Sequence, residues 1–326
     1  MPPALRLLRR RLVGAVPVLA FVAIGGFFLL EAAPGDAVDA YIAGTGGADA
    51  TQIAELRAQW GLDGSILARL AAYLSALLRL DLGWSTGFNR PVLDVLLERV
   101  SNTLLLMSLA MSLAFSLGTT LGIICGARPA SLHDRLLSAG AIALYAIPGF
   151  WLALVLIVVF AVDLRWLPVG GLQTTASGLT GMAHVQDVAI HLILPVASLG
   201  MIYMALYLRL MRDGMVELWP LDFVRAARAR GMPRRRLVLR HVARNALLPV
   251  VTMLGLQSAG MLGGSVVIES VFSIPGLGRL AYEAVLKRDT PLLLGVMLLS
   301  AVLVITVNLL VDLVYRMLDP RLSDAA

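Results

Sequence analysis

Apolar positions in this chain form long unbroken runs, and the polar positions gather between them. Six runs approach or exceed the ~20 residues that a helix needs to cross the hydrocarbon core of a bilayer: Leu12–Leu30, Leu104–Ala127, Leu137–Val162, Leu192–Leu210, Leu247–Ile268 and Leu292–Leu313. The pattern predicts an all-α polytopic membrane protein with six transmembrane helices. Pro17, Pro148, Pro195 and Pro249 fall inside or beside these runs. They are compatible with spanning helices, because neighbouring helices satisfy the freed carbonyls. Arg6, Arg9, Arg10 and Arg11 precede the first run and Ala32–Ala33 follow it, as in a signal peptide. Its apolar core exceeds the roughly 7–15 residues of a signal sequence, so a retained anchor is expected.

The polar stretch between the first two runs is too long for a hairpin. Within it Thr51–Trp60 reads as a short helix, with Thr51 as N-cap and Gly61 just past the end. Ile66–Leu80 carries apolar residues at Ile66, Leu70, Leu74, Leu77 and Leu78, with Arg69 and Arg79 among them. It is too short to span and is expected at the interface or against the bundle. The chain thus divides into an N-terminal arm with the first span (1–31), a small helical extracytoplasmic insertion (32–99) and a core (100–326) holding the other spans and an inner loop over 212–246.

Charge orients the chain. Of 326 residues 59% are hydrophobic and only 15% charged, with mean hydropathy +0.83, against about 25% charged in soluble domains. A net charge of +6 on a polar domain would suggest nucleic acid; concentrated between apolar runs it marks membrane topology instead. With the N-terminus inside, the inner segments hold Arg6, Arg9, Arg10, Arg11, Arg128, Arg135, Arg209, Arg212, the eight arginines from Arg225 to Arg244, Arg316 and Arg321, or 18 of the 27 Lys and Arg residues. The outer segments hold the other nine, and Glu31, Asp36, Asp39, Asp81 and Glu98 besides. Both termini are therefore expected in the cytoplasm. The single cysteine, Cys125, excludes an intrachain disulfide and a cysteine-based metal site.

The segment RAARARGMPRRRLVLRHVARNALLPV, from Arg225 to Val250, contains those eight arginines and no acid; none occurs between Asp222 and Glu269. Asp222 is suited to N-cap a short helix Phe223–Arg230, and Gly231 to take the left-handed position after it. Pro233 suits the first turn of a second helix. Phe223, Ala226, Ala227 and Arg230 are expected on one face of the first helix, and Arg236, Arg240 and Arg244 in a stripe on the second. Like charges at that spacing cost an isolated helix about 0.2–0.5 kcal/mol per pair, so a counter-charge must come from lipid, from elsewhere in the chain or from a partner. Anionic lipid accounts for part of the block, at about 1 kcal/mol per residue. It does not account for a short helix, a glycine stop and a second helix in that order.

That order resembles the cytoplasmic EAA loop of ATP-binding-cassette (ABC) importer permeases, particularly the dipeptide/oligopeptide permease family. Arg225 stands where the general motif has glutamate, while Ala226, Ala227 and Gly231 keep their places. Further similar segments run the length of the chain: APGDAV, WGLDGS, DLGWS, RPVLDVLLERVSNTLLL, WLPVGG, HLILPVASLG, VFSIPGLGRL and VNLLVDLVYRMLDPRL. The resemblance implies a bacterial inner-membrane permease subunit that moves peptides by alternating access and binds no cofactor itself. ATP and Mg would belong to one or two cytoplasmic ATPase subunits. Phe223, Val224, Arg225, Ala226, Ala227, Arg228, Arg230 and Gly231 would couple to the ATPase, its acids or carbonyls facing Arg225, Arg228 and Arg230. A periplasmic solute-binding protein would deliver cargo, and a related second permease would complete the pathway. Nickel, glutathione or oligosaccharide cargo fits the same architecture.

Other features carry less. PGLGRLA at Pro275–Ala281 imitates a dinucleotide fingerprint but has no acid about 20 residues on at the end of a strand, so a turn into an outer helix is expected. His184, Asp187 and His191 would align on a helix as metal ligands, yet polar capping of the fourth span is the default, and no metal is assigned. Asp312 has Arg316 four residues on, the spacing of a plain ion pair. Glu269 and Asn308, near the ends of apolar runs, are the candidates for a substrate pathway; a buried hydrogen bond is an equal expectation for Glu269. Gly255, Gly260, Gly263 and Gly264 suit close helix packing in the fifth span. The rival class, a self-contained channel or ion-coupled transporter, calls for ionisable groups deep in the spans, which are almost absent. A membrane enzyme has no G-x-S-x-G or H-E-x-x-H to support it, and no catalytic residue is assigned.

Overall fold

The computed structural model describes residues 3–32, 38, 42, 49–59 and 64–318, with side chains only between 11 and 311. The side chains of Arg6, Arg9, Arg10, Asp312 and Arg316, and all of Asp36, Asp39, Gly61 and Arg321, lie outside that description. The elements are α1 (Pro3–Glu31), α2 (Ala50–Gln59), α3 (Ile66–Leu78), a two-residue antiparallel pair β1 (Trp84–Ser85) and β2 (Arg90–Pro91), then α4 (Val92–Ala127) and α5 (Leu132–Ala146). There follow α6 (Gly149–Asp163), α7 (Gly181–Leu218), α8 (Asp222–Ala229), α9 (Arg234–Val271), α10 (Leu277–Leu286) and α11 (Thr290–Leu318).

Among the described residues five helices are long and apolar enough to cross a membrane, within α1, α4, α7, α9 and α11. The expected third span, Leu137–Val162, is a broken pair, α5 and α6, bent by 103°. The cause is local. Pro148 clashes with helical backbone at the residue before it, and Ile147 is accordingly extended, at φ −79° and ψ 130°. Counting the broken pair as one span restores six. Thr51 is corrected, from N-cap to a position inside a helix that starts at Ala50.

The described chain forms two compact units, 1–101 with 276–306, and 102–275 with 307–326. In the first, Val92, Leu96, Leu277, Leu280, Leu292 and Val296 form a buried cluster. Asp289, also buried, caps α11 by accepting from Leu292 N at 3.2 Å and holds the hairpin by accepting from Gly87 N at 2.8 Å and from Ser85 Oγ. The short α3 lies against α1, as one of its two expected placements: Phe27 and Tyr73 stack at 5.9 Å between ring centroids, and Arg69 pairs with Glu31. Ser65 caps α3 by accepting from Ala68 N at 3.3 Å. The fingerprint-like Pro275–Ala281 leads into the helix α10.

The second unit is built on the contact of α4 with α7. Gly118, Gly122 and Gly126 recur every four residues on one face of α4. A Cβ at Gly118 would lie 2.7 Å from Met204 O, one at Gly122 2.6 Å from Met211 Cβ and 2.7 Å from Leu208 O, and one at Gly126 2.7 Å from Met215 Cβ. Backbone therefore meets backbone, the packing available to membrane helices that carry small residues at such spacing. Tyr207, Leu208, Met211 and Met215 of α7 are fully buried beside it. The expected close packing of glycines in the fifth span holds for Gly255, whose Cβ would lie 3.1 Å from Val311 Cγ1. It does not hold for Gly263, which has nothing within 4 Å.

A charged clasp closes one end of this unit. Asp134, 1% exposed, accepts from Arg212 Nε at 2.8 Å and Nη2 at 3.0 Å, from Ala130 N at 2.8 Å and from Ser138 Oγ at 3.2 Å. The start of α5 is thereby tied to the last turns of α7. Two stability predictions follow from this packing. Gly122→Ala should lower the midpoint of thermal unfolding in detergent, since overpacking costs about 1–3 kcal/mol, whereas Gly140→Ala, with nothing within 4 Å, should hold or raise that midpoint, its stability gain being up to about 1 kcal/mol. Arg212→Gln should destabilise by about 3 kcal/mol, because it leaves a buried carboxylate unpaired. Adding Asp134→Asn should recover part of that loss.

Candidate functional site: the arginine-rich segment

Two side chains of this segment close the end of α4. The last carbonyls of a helix have no partner within it. Gly126 O accepts from Trp219 Nε1 at 2.7 Å and Ala127 O from Arg234 Nη2 at 2.8 Å. Trp219 directly follows α7 and Arg234 opens α9, so both ends of the segment are fixed to the glycine-faced pair.

Between them α8 runs from Asp222 to Ala229, one residue earlier at each end than expected. Leu221 is the cap, and Asp222 is the first helical residue instead of the N-cap. Its carboxylate still sits in the first turn, where the helix dipole favours a negative charge. The end of α8 is a Schellman motif: Met232 N donates to Ala227 O at 3.3 Å and Gly231 N to Arg228 O at 3.0 Å, with Gly231 at φ +73°. Only glycine enters that region without strain.

The face assignment expected for α8 is corrected in one respect. Ala227 does not share an exposed face with Phe223 and Ala226; it is fully buried, as is Val224 three residues before it. Both pack into a cluster with Met211 and Met215 of α7 and Leu237, Val242 and Ala246 of α9. Phe223, 37% exposed, with Ala226 and Arg230, forms the outer face. Arg225 reaches Asp222 at 3.5 Å, but both side chains are over 70% exposed, and such a pair contributes at most about 1 kcal/mol. Arg228 follows Val224 by four and turns to the seated side, its guanidinium 5.8 Å from the Trp219 ring centroid. The expected Arg236/Arg240/Arg244 stripe is altered as well. A π-helical stretch over Leu237–Val242 lies inside it, and its i→i+5 bonding rotates residues four apart out of line.

The pathway candidates lie elsewhere in the unit. Glu269 is fully buried and accepts from Thr103 Oγ1 at 2.7 Å. Asn308 is half-buried, its Oδ1 3.1 Å from where a Cβ on Gly255 would be. Asp187 accepts from Thr174 N and Oγ1, each at 2.7 Å, and His191 Nδ1 lies 2.8 Å from Asp187 O, so the start of α7 is tied to the preceding loop. Among the described residues no group of three or more His, Cys, Asp or Glu is placed to hold a metal.

Sequence reading passes over three parts of this site. The Gly118/Gly122/Gly126 repeat was legible as a doubled G-x-x-x-G in an apolar run. Asp134 was partly legible, since Ser131 accepts from Asp134 N at 3.3 Å in a local cap. Trp219 gave no signal, because its partner is 93 residues away.

A family model described as "Binding-protein-dependent transport system inner membrane component" matches residues 118–324. An oligopeptide transport system permease protein, AppB of Bacillus subtilis, is 35% identical over 316 residues, covering 96% of this chain and 98% of its own length. A putative peptide permease protein of Brucella ovis is 38% identical over 317 residues, covering 97% and 98%. A probable peptide ABC transporter permease of Sinorhizobium fredii is 36% identical over 313 residues, covering 96% and 97%. Among solved structures, an inward-facing MetNI methionine ABC transporter chain superposes with a TM-score of 0.55 at 19% identity, over 69% of this chain and 97% of that one, a likeness of fold. With α8 seated between α7 and α9 and its outer face bare, and with relatives that match from end to end, this chain belongs to the family of binding-protein-dependent transport system inner membrane components.

Proposed function

We propose that the chain is the membrane subunit of a peptide importer, in which α8 receives force from a separate ATPase. The observation that carries this reading is the two-sidedness of α8. Val224 and Ala227 are fully buried in the body of the unit, while Phe223, Ala226 and Arg230 face outward. A helix seated in this way transmits a push to α7 and α9 without absorbing it in a loop. Peptide cargo is supported by the relatives above, which are named as peptide permeases and match almost the whole chain.

The chain supplies no phosphate-cradling loop of its own. A G-x-x-x-x-G-K-[ST] loop needs a lysine after glycine, and the single lysine, Lys287, follows Leu286. ATP and Mg therefore belong to partner ATPase subunits on this reading. Both termini and the arginine-rich segment lie in the cytoplasm, and a periplasmic binding protein docks on the opposite side. A second, related permease is supported by a polar face on α4. Ser108, Ser112, Ser116 and Thr120 are exposed at four-residue intervals along this spanning helix, an arrangement suited to a partner or an aqueous path. Glu269 and Asn308 remain the pathway residues we propose on the side of α9 and α11.

Two substitutions one residue apart separate docking from folding. Ala226→Asp should insert and melt normally yet reduce peptide uptake at least about tenfold, the loss expected when one central contact worth about 1.4 kcal/mol fails. Ala227→Asp should fail to accumulate as folded protein, because it buries a carboxylate with no partner. Normal uptake by Ala226→Asp would contradict the docking role. The purified chain alone should also show no ATP turnover in a coupled assay, and turnover from homogeneous protein would overturn the division of labour.

A further inference from the structure

Beside the seated face of α8 the second unit has an open cavity of about 710 Å³. It lies where two spanning helices end, α4 at Ala127 and α7 at Leu218. Its charged lining is Arg228 and Arg234 alone; no carboxylate lines it, and Trp219, Val216, Met232 and Leu237 supply apolar wall. Of the acids on the flanking turns, Asp134 and Asp213 pair with Arg212 and the exposed Asp222 lies 3.5 Å from Arg225, while Glu217 is exposed and does not line the cavity. Neither Arg228 nor Arg234 has an ion pair among the described residues. Arg234 spends one Nη2 bond on Ala127 O, and a guanidinium has five N–H donors in a fixed fork. Two such forks in a pocket without acids select a compact oxyanion, and phosphate geometry suits them.

We propose that this cavity binds the phosphate of an anionic membrane phospholipid, and that its occupancy steadies α8 on its seat. Three features favour lipid over a carboxylate of a partner protein. The cavity opens beside Ala127, where the apolar run of α4 ends, which the importer reading puts near the inner headgroups. Trp219 has the amphipathic ring that settles at that depth. The Val216, Met232 and Leu237 side chains offer apolar surface next to the forks, which a glycerol backbone and the first acyl carbons cover. Arg228 also lies on the seated side of α8, away from the outer face of Phe223, Ala226 and Arg230. The inference rests on the importer reading only for placing this end of the unit at the anionic inner leaflet.

The test uses the full-length chain, delipidated in detergent and titrated with phosphatidylglycerol or phosphatidylcholine while native mass spectrometry counts bound lipid. Wild type should retain phosphatidylglycerol and discriminate against phosphatidylcholine. Arg228→Gln with Arg234→Gln should weaken phosphatidylglycerol binding about thirtyfold, from about 1 kcal/mol per arginine. Arg235→Gln with Arg236→Gln, which removes the same charge outside the cavity, should retain it, and both pairs should be checked for unchanged melting. Equal loss in the two double variants would overturn the site in favour of diffuse charge. Inorganic phosphate binding as tightly as the lipid would overturn the lipid assignment. A cross-link from position 228 to an ATPase carboxylate in the assembled importer, with no lipid retained, would assign the cavity to that protein instead. Lipid retention is read on the chain alone, so its failure is distinct from a failure of the uptake reading.

Discussion

The structure depends on how closely α4 and α7 approach. Three glycines on α4 remove side-chain bulk along three consecutive turns, and Met204, Leu208 and Arg212 present backbone to them. Apolar side chains alone do not drive helices together in lipid, which is equally apolar; close van der Waals contact does. That contact sets where both helices end, and everything at the arginine-rich end is built from those ends. Trp219 reaches Gly126 O, Arg234 reaches Ala127 O, and Arg212 reaches Asp134. Each is a directional bond that tolerates little displacement, so a shift of α7 along α4 would break those of Trp219 and Arg212.

The short helix α8 inherits this rigidity. Eight residues form too short a helix to persist by propensity alone, and the like charges around it work against it. It is held instead by a Schellman end at Gly231 and by two buried side chains, Val224 and Ala227. The π-helical stretch at Leu237–Val242 follows at once, and it places Leu237, Val238 and Val242 into the same cluster. The arginines are thereby sorted by position. Arg225 and Arg230 project outward, Arg228 lies against Trp219, and Arg234 closes α4. A block that is uniform in sequence is thus not uniform in role.

Much of this is legible in the sequence. Long apolar runs gave the spans because the hydrophobic requirement of a bilayer is local and additive along the chain. The short helix, its glycine stop and its proline restart were legible because turn chemistry is carried by the residues themselves. Three things were not. The break at Pro148 depends on whether neighbours compensate, which a single sequence does not state. The inward turn of Ala227 depends on a helix start shifted by one residue. The Arg212–Asp134 clasp joins positions 78 residues apart, so it leaves no periodic trace.

The central claim is that α8 and the end of α7 move as one body while the importer works. Spin labels on cysteines placed at Ala229 and at Glu217, both exposed, measure this directly, since the native Cys125 is buried. A single narrow distance distribution is expected, the same in nucleotide-free and ATP-trapped importer. A distribution that shifts or broadens on ATP binding would show α8 moving independently of its seat, and would contradict the claim.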